Sequence, residues 1–217
     1  MPVFRNLLKD INLDTIKGVL LDLDNTLYDY APCHEYAIRM CYRHLSKKVR
    51  VTYGKYLKDY KLAQSVVKSQ NVNQAASHSR FLYFQALLEK YFGKTPFKLT
   101  ITLENIYWDS FLKKMTLGEG VSDFLKVLKG KGIKTCLVTN LTAKIQFRKV
   151  VRLGLDKYID FIVSSEESGR EKPNPGIFLK ALEKIGLGAS GMIMIGDGKK
   201  EDAASAKKTG ITTYLIK

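Results

Sequence analysis

Asp22-Leu23-Asp24-Asn25-Thr26-Leu27 carries two carboxylates two residues apart. They follow the apolar run Gly18-Val19-Leu20-Leu21, which predicts a short buried strand. Side chains alternate faces along a strand, so residues at i and i+2 point the same way. Two carboxylates aimed together at a buried strand end repel each other and are costly to desolvate. A divalent cation resolves that conflict and gives the pair a chemical use. Three further groups could join them. Thr139-Asn140 follows the apolar run Cys136-Leu137-Val138, and Lys172-Pro173 lies in a stretch rich in glycine and proline. Gly196-Asp197-Gly198 closes another apolar run, with Asp202 five residues past Asp197.

The elements that must carry these residues alternate in type. Residues 121–130 predict a helix, with Val121, Phe124, Leu125 and Leu128 on one face. Residues 133–138 predict a strand, and 144–153 a helix closed by Gly154. Residues 161–163 form a short strand pattern. Residues 175–185 form a helix pattern, N-capped by Asn174, begun by Pro175 and stopped by Gly186. A strand at 192–195, a small-residue helix at 202–209 and a last strand at 211–216 complete the series. This alternation predicts an α/β core with a Rossmann-like, doubly wound parallel sheet. Ligands of such sheets bind beyond the C-terminal strand ends, where Asp22, Thr139 and Asp197 fall.

Between residues 28 and 115 the strand signals fade. Amphipathic helices are predicted over 32–49 and 53–68. A third carries Phe81, Phe84, Leu88 and Phe92, and a fourth Ile106, Trp108, Phe111, Leu112 and Met115. Residues 71–79 are polar and predict a loop. The expected organisation is a core of residues 1–27 and 116–217, with a helical-bundle insert of residues 28–115 whose aromatic stripes form its own core. Residues 1–17 predict a short leading helix or arm, without the apolar segment of a signal peptide.

In this order, and at these strand ends, the four elements resemble the haloacid dehalogenase-like hydrolase superfamily. They are Asp22-x-Asp24-x-Thr26, Thr139-Asn140, Lys172-Pro173, and Gly196-Asp197-Gly198 with Asp202. The resemblance covers nearly the whole chain from Lys17. The insert directly after the first strand is similar to the superfamily's C1-type cap. The resemblance implies a phosphomonoesterase with Asp22 as nucleophile, forming an aspartyl-phosphate. Asp24 would protonate the leaving oxygen and then act as base on water. The expectation is that a cation and Lys172 keep Asp22 ionised while the neighbouring charge raises Asp24. Thr139, Lys172 and the amides near Asn25 and Asn140 would hold phosphoryl oxygens. The implied cofactor is Mg²⁺, on Asp22, Asp197 and the backbone carbonyl of Asp24. Asp202 would ligate directly or through a water, cap the helix that follows, or do both. Thr26 is read either as a turn stabiliser or as a substrate contact.

Dehalogenases of the superfamily typically lack the second aspartate, so Asp24 favours phosphoryl chemistry. A phosphomutase or a phosphoglycolate phosphatase-like enzyme is the alternative within the same class. Residues 80–88 are similar to the nucleotidase-like and acylneuraminate-phosphatase-like branches, and Leu27-Tyr28 to the pyrimidine 5′-nucleotidase branch. Arg80 is a candidate substrate contact, with a surface ion pair as its alternative. A cap of this size suits a small phosphorylated metabolite: a nucleoside monophosphate or a sugar phosphate. Two positions depart from the superfamily pattern. Gly198 stands where Ser or Thr is common, and Glu171 puts a negative charge beside Lys172, either pairing with it or facing solvent.

The formal net charge of +15 admits nucleic-acid binding or attraction of anionic small substrates. No dense basic block or zinc-finger spacing accompanies it, so nucleic acid is not expected as a partner. A non-catalytic, basic nucleic-acid-binding or scaffold protein is the alternative of another class. Cys33, Cys41 and Cys136 lack metal-type spacing and are expected reduced and packed, which points to the cytoplasm. No run approaches a membrane span, and a monomer or homodimer is expected.

Overall fold

The computed structural model describes residues 3–216. Along the chain come α1 (Val3–Asp10), β1 (Gly18–Leu21), α2 (Tyr30–Leu45), α3 (Tyr53–Gln70), α4 (Arg80–Phe92) and α5 (Phe97–Lys114). Then follow α6 (Val121–Gly130), β2 (Lys134–Thr139), α7 (Ala143–Arg152), β3 (Phe161–Ser164), α8 (Ser165–Ser168) and α9 (Gly176–Ile185). β4 (Met192–Gly196), a π-helical turn over Lys199–Ala203, α10 (Ala204–Lys208) and β5 (Thr212–Leu215) close the series. The chain divides into two compact units, one of residues up to Asp29 and from Thr116 onward, the other of Tyr30–Met115. Tyr28 stays with the first unit because its hydroxyl donates to Asp24, and the Leu27 carbonyl accepts from Gly118 N–H at 2.8 Å.

The first unit is built on a five-stranded parallel sheet of order β3-β2-β1-β4-β5. The central strand β1 is buried on both faces, which is why Val19, Leu20 and Leu21 are all apolar. Leu20, Cys136, Val138, Val163, Met192 and Met194 pack one face against Ile177, Phe178 and Ala181 of α9. In α6 the predicted stripe Val121, Phe124, Leu125 and Leu128 is wholly buried, and Phe4 of α1 meets Phe124 edge-on. The register sets Leu21 beside both Leu137 and Ile195, so the residues after β1, β2 and β4 emerge at one level. Asp22 N–H donates to the Ile195 carbonyl at 2.9 Å, which extends the pairing to the first acid itself.

The second unit is a bundle of α2, α3, α4 and α5. Ser79 caps α4, its side chain accepting from Leu82 N–H, and Gly93 ends that helix in the left-handed conformation. Its interior is aromatic: Tyr56, Tyr83, Phe84, Tyr107, Trp108 and Phe111 are buried. The buried face of α4 is Arg80, Tyr83, Phe84, Leu87 and Leu88. Phe81 and Phe92 lie partly exposed off that face, so the expected stripe ran slightly out of phase. The expected loop at 71–79 contains a short 3₁₀ turn over Ala75–His78. No helix among the described residues is long and apolar enough to cross a membrane. All three cysteines are buried.

Candidate active site

Asp22 lies at the end of β1, 6% exposed, and Lys172 Nζ donates to its Oδ1 at 2.6 Å. The same ammonium donates to Asp202 Oδ1 at 2.7 Å and to the Val138 carbonyl at 2.9 Å. Lysine has three N–H donors, and these three acceptors use them all. Glu171, expected either to pair with Lys172 or to face solvent, is buried. Thr26 Oγ1 donates to Asp22 Oδ2 at 2.8 Å. That bond fixes the carboxylate and puts the Thr26 hydroxyl to work on the acid it follows. Asn25 takes a positive φ of 64°, a conformation asparagine tolerates, and so turns the chain sharply after the acid pair.

Oxygens of Asp22, Asp197 and Asp202 lie within 4.8 Å of one another. Three carboxylates this close are an all-oxygen donor set of the kind that suits a hard divalent cation. Asp202 comes to this point because Gly196 leaves room for it: a Cβ at Gly196 would overlap the Asp202 carboxylate. Asp202 Oδ2 also accepts from Gly198 N–H at 3.0 Å, so it caps the turn that follows β4 while facing Lys172. The absence of a side chain at 198 has a steric counterpart. A Cβ there would stand 3.1 Å from both Asp202 Oδ2 and Glu201 Oε2, tighter than ordinary contact.

Asp24 sits in a different environment. Lys149 Nζ donates to its two oxygens at 2.6 and 2.9 Å, and Gln146 Nε2 to Oδ2 at 3.3 Å. The Tyr28 hydroxyl donates to it as well. Gln146 also donates to Thr139 Oγ1 and, at 2.9 Å, to the Asn140 carbonyl. The Asn140 side chain accepts from Lys172 N–H at 2.9 Å, tying the turn after β2 to the lysine segment. The structure thus brings Asp22, Asp24, Thr139, Asn140, Lys172, Asp197 and Asp202 together in the first unit.

The expected charge assignment reverses in the chain by itself. Burial pushes Asp22 up to about 7, because desolvation outweighs the Lys172 charge and Asp202 and Asp24 add repulsion. Burial would raise Asp24 too, but Lys149 outweighs it, with help from Tyr28 and Gln146, and the carboxyl is held below its usual range. Asp197 is raised, first by burial and then by Asp202. The lowering of Asp24 rests chiefly on Lys149, a lysine that sequence reading passed over. A signal for it existed. The buried face of α7 is Ile145, Gln146 and Lys149, whereas Phe147 and Val151 are 56% and 68% exposed. Polar residues occupy two of the three buried positions of that helix.

Arg80 belongs to the second unit and is not a surface ion pair, being 6% exposed. Its guanidinium donates to the Tyr107 hydroxyl at 3.3 Å, to the His78 carbonyl at 2.5 Å and to the Tyr30 hydroxyl. The rings of Tyr30, Tyr83, Tyr107 and Trp108 surround it at 5.4–5.9 Å. His34 meets Tyr107 at 2.7 Å and is pushed down to about 4 by burial and the Arg80 charge, so it is neutral near pH 7.

A family model described as haloacid dehalogenase-like hydrolase matches residues 16–210. The chain is 34% identical to a ribulose-1,5-bisphosphate 5-phosphatase of Halopiger xanaduensis, over 92% of this chain and 84% of that protein. It is 31% identical to a glyceraldehyde 3-phosphate phosphatase of Methanopyrus kandleri, over 93% of this chain and 84% of that protein. Among solved structures it resembles a 2-haloacid dehalogenase of Pseudomonas syringae, with a TM-score of 0.75 and 25% identity, over 93% and 86% of the two chains.

Proposed function

The chain belongs to the haloacid dehalogenase-like hydrolase family, and we propose that it is a Mg²⁺-dependent phosphomonoesterase acting on a small phosphorylated sugar. The observation that carries this reading is the acid pair with its separate partners. Asp22 faces Lys172 and two further carboxylates, and Asp24 faces Lys149, Gln146 and Tyr28. A halide leaving group needs no proton. A sugar alkoxide does, and in this reading Asp24 gives it. The relatives named for ribulose bisphosphate and glyceraldehyde 3-phosphate support sugar phosphates over nucleoside monophosphates.

Asp22 attacks phosphorus as a carboxylate. Asp24, which Lys149 holds ionised in the free chain, takes up a proton when the negative charge of the phosphorylated substrate is bound beside it. It gives that proton to the sugar oxygen as the bond from phosphorus breaks. Asp24, now a carboxylate, takes a proton from water as the water oxygen attacks the phosphoryl group on Asp22. Inorganic phosphate leaves and Asp22 is restored. Thr139 and Lys172 orient the phosphoryl oxygens, while Thr26 holds the Asp22 carboxylate for attack. Mg²⁺ would sit on Asp22, Asp197, the Asp24 carbonyl and Asp202, and supplies positive charge against the phosphoryl oxygens when bound.

Phosphate release from a panel of triose, pentose, hexose, nucleoside and glycolate phosphates tests the reading. Sugar phosphates are expected to be turned over best, with activity lost in a chelator and regained with Mg²⁺. Nucleoside monophosphates outranking every sugar would remove the substrate class. Release unaffected by chelation would remove the metal.

A further inference from the structure

We propose that Lys149, with Gln146 and Tyr28, is the positioning device for Asp24, and that α7 gives up two of its three buried positions to build it. The inference rests on the reading of Asp24 as the group that protonates the leaving oxygen. Three observations carry it. Lys149 is 0% exposed, a burial that a lysine adopts only when it is paired. Its ammonium meets both oxygens of Asp24, at 2.6 and 2.9 Å, which fixes the plane of the carboxylate as a single contact would not. Finally, the helix departs from amphipathic order to achieve this. Gln146 and Lys149 point inward, while Phe147 and Val151 are left facing solvent. A helix shaped by packing alone would have turned the other way.

Gln146 joins the device to the phosphoryl side of the site. One amide nitrogen reaches Asp24, the Thr139 hydroxyl and the Asn140 carbonyl, so the acid and the turn after β2 share a support. Its Oε1 is buried without a hydrogen-bond partner. The Tyr28 hydroxyl reaches Asp24 from the other side, and its ring lies 5.9 Å from the Lys149 ammonium. The chain therefore holds Asp24 at a set place and angle before substrate arrives. That is the form of preorganisation in which a small displacement costs rate rather than binding.

The proton transfer gives this role a signature. In the first half-reaction Asp24, having taken up a proton as the negatively charged substrate binds beside it, passes that proton to the ester oxygen as the phosphorus–oxygen bond breaks and the phosphoryl group goes to Asp22. A sugar alkoxide depends on that proton, whereas p-nitrophenolate leaves readily without it. Single-turnover release of alcohol should be compared for glyceraldehyde 3-phosphate and p-nitrophenyl phosphate, in wild type, Lys149→Met, Tyr28→Phe and Asp24→Asn. For Lys149→Met the expected loss is about 10²-fold on the sugar phosphate and less than about 3-fold on p-nitrophenyl phosphate, with KM nearly unchanged. Tyr28→Phe, which removes one hydroxyl and little volume, should show the same asymmetry at about 5–10-fold and serves if Lys149→Met does not fold. Equal losses on both substrates, or a loss confined to KM, would overturn the proposal and make Lys149 a phosphate or folding residue. If Asp24→Asn lacks the asymmetry, the reading of Asp24 fails first, a result separable from normal Asp24 behaviour with an indifferent Lys149.

Discussion

Both units of this protein bury cations, and they neutralise them in opposite ways. In the first unit Lys172 and Lys149 each meet carboxylates: Asp22 and Asp202 for one, Asp24 for the other. In the second unit Arg80 meets two phenol hydroxyls, a carbonyl and four aromatic faces. The only carboxylate buried in that unit among the described residues, Asp59, is bound instead by Lys55, Lys90 and Tyr91. Phenols are neutral near pH 7, and the buried Tyr60 and Tyr107 hydroxyls are pushed further from ionising by burial. The contrast separates two uses of buried charge. In the proposed mechanism the acids facing lysines are the reactive set, which changes its proton and phosphoryl occupancy. An arginine among phenols and rings forms a fixed strut.

The largest effect expected from this contrast is on turnover. Asp22→Asn removes the proposed nucleophile, and steady-state phosphate release should fall by at least about 10⁴-fold, with the melting temperature little lowered. Arg80→Met removes no reacting group, so its kcat in the same assay should stay within about 10-fold of wild type. A larger fall in kcat would break the comparison.

Stability sharpens it next. Lys172→Met leaves Asp22 and Asp202 buried without their counter-charge and should cost about 3–5 kcal/mol in urea unfolding. Mg²⁺ should restore part of that loss. Arg80→Met strands only neutral hydroxyls and should cost about 1–3 kcal/mol, with no recovery in Mg²⁺. Equal costs and equal metal responses would show that the two burials are of one kind.

The smallest effect concerns pH. The hydrogen bond from Lys90 lowers Asp59 to about 2, against the burial that opposes it, and Lys55 and Tyr91 add to the lowering. A carboxyl with a depressed folded value contributes stability above its unfolded pKa of about 3.9 and loses it as pH falls toward 2. Chemical denaturation between pH 5 and pH 2 should therefore show a decline in wild type that is shallower in Asp59→Asn. Parallel curves would remove Asp59 from the account.

The sheet and the four motif elements were legible because each rests on a local rule. Apolar runs ending in Asp22, Thr139 and Asp197 announce strand ends in a parallel sheet, and Gly154 and Gly186 announce helix ends. The family match and the sheet order agree with that reading. What sequence reading missed was non-local. Lys149 looks like one more solvated lysine in a chain rich in them. Only the fold reveals that it meets Asp24, 125 residues away in sequence. Its neighbours Phe147 and Val151 mislead in the same way, since apolar residues suggest a buried face and here mark the exposed one. The surface ion pair read for Arg80 failed for a similar reason: a lone arginine suggests surface, and the ring of tyrosines that buries it is assembled from α2, α4 and α5.

The most direct test of the central claim, that Asp22 is the nucleophile of a phosphatase, is to quench the enzyme in acid during turnover of a sugar phosphate with Mg²⁺ and map its peptides by mass. The account predicts a single phosphoryl increment on the peptide containing Asp22, absent in Asp22→Asn and longer-lived in Asp24→Asn. Sustained phosphate release with no modified peptide, or with the increment on another residue, would contradict it.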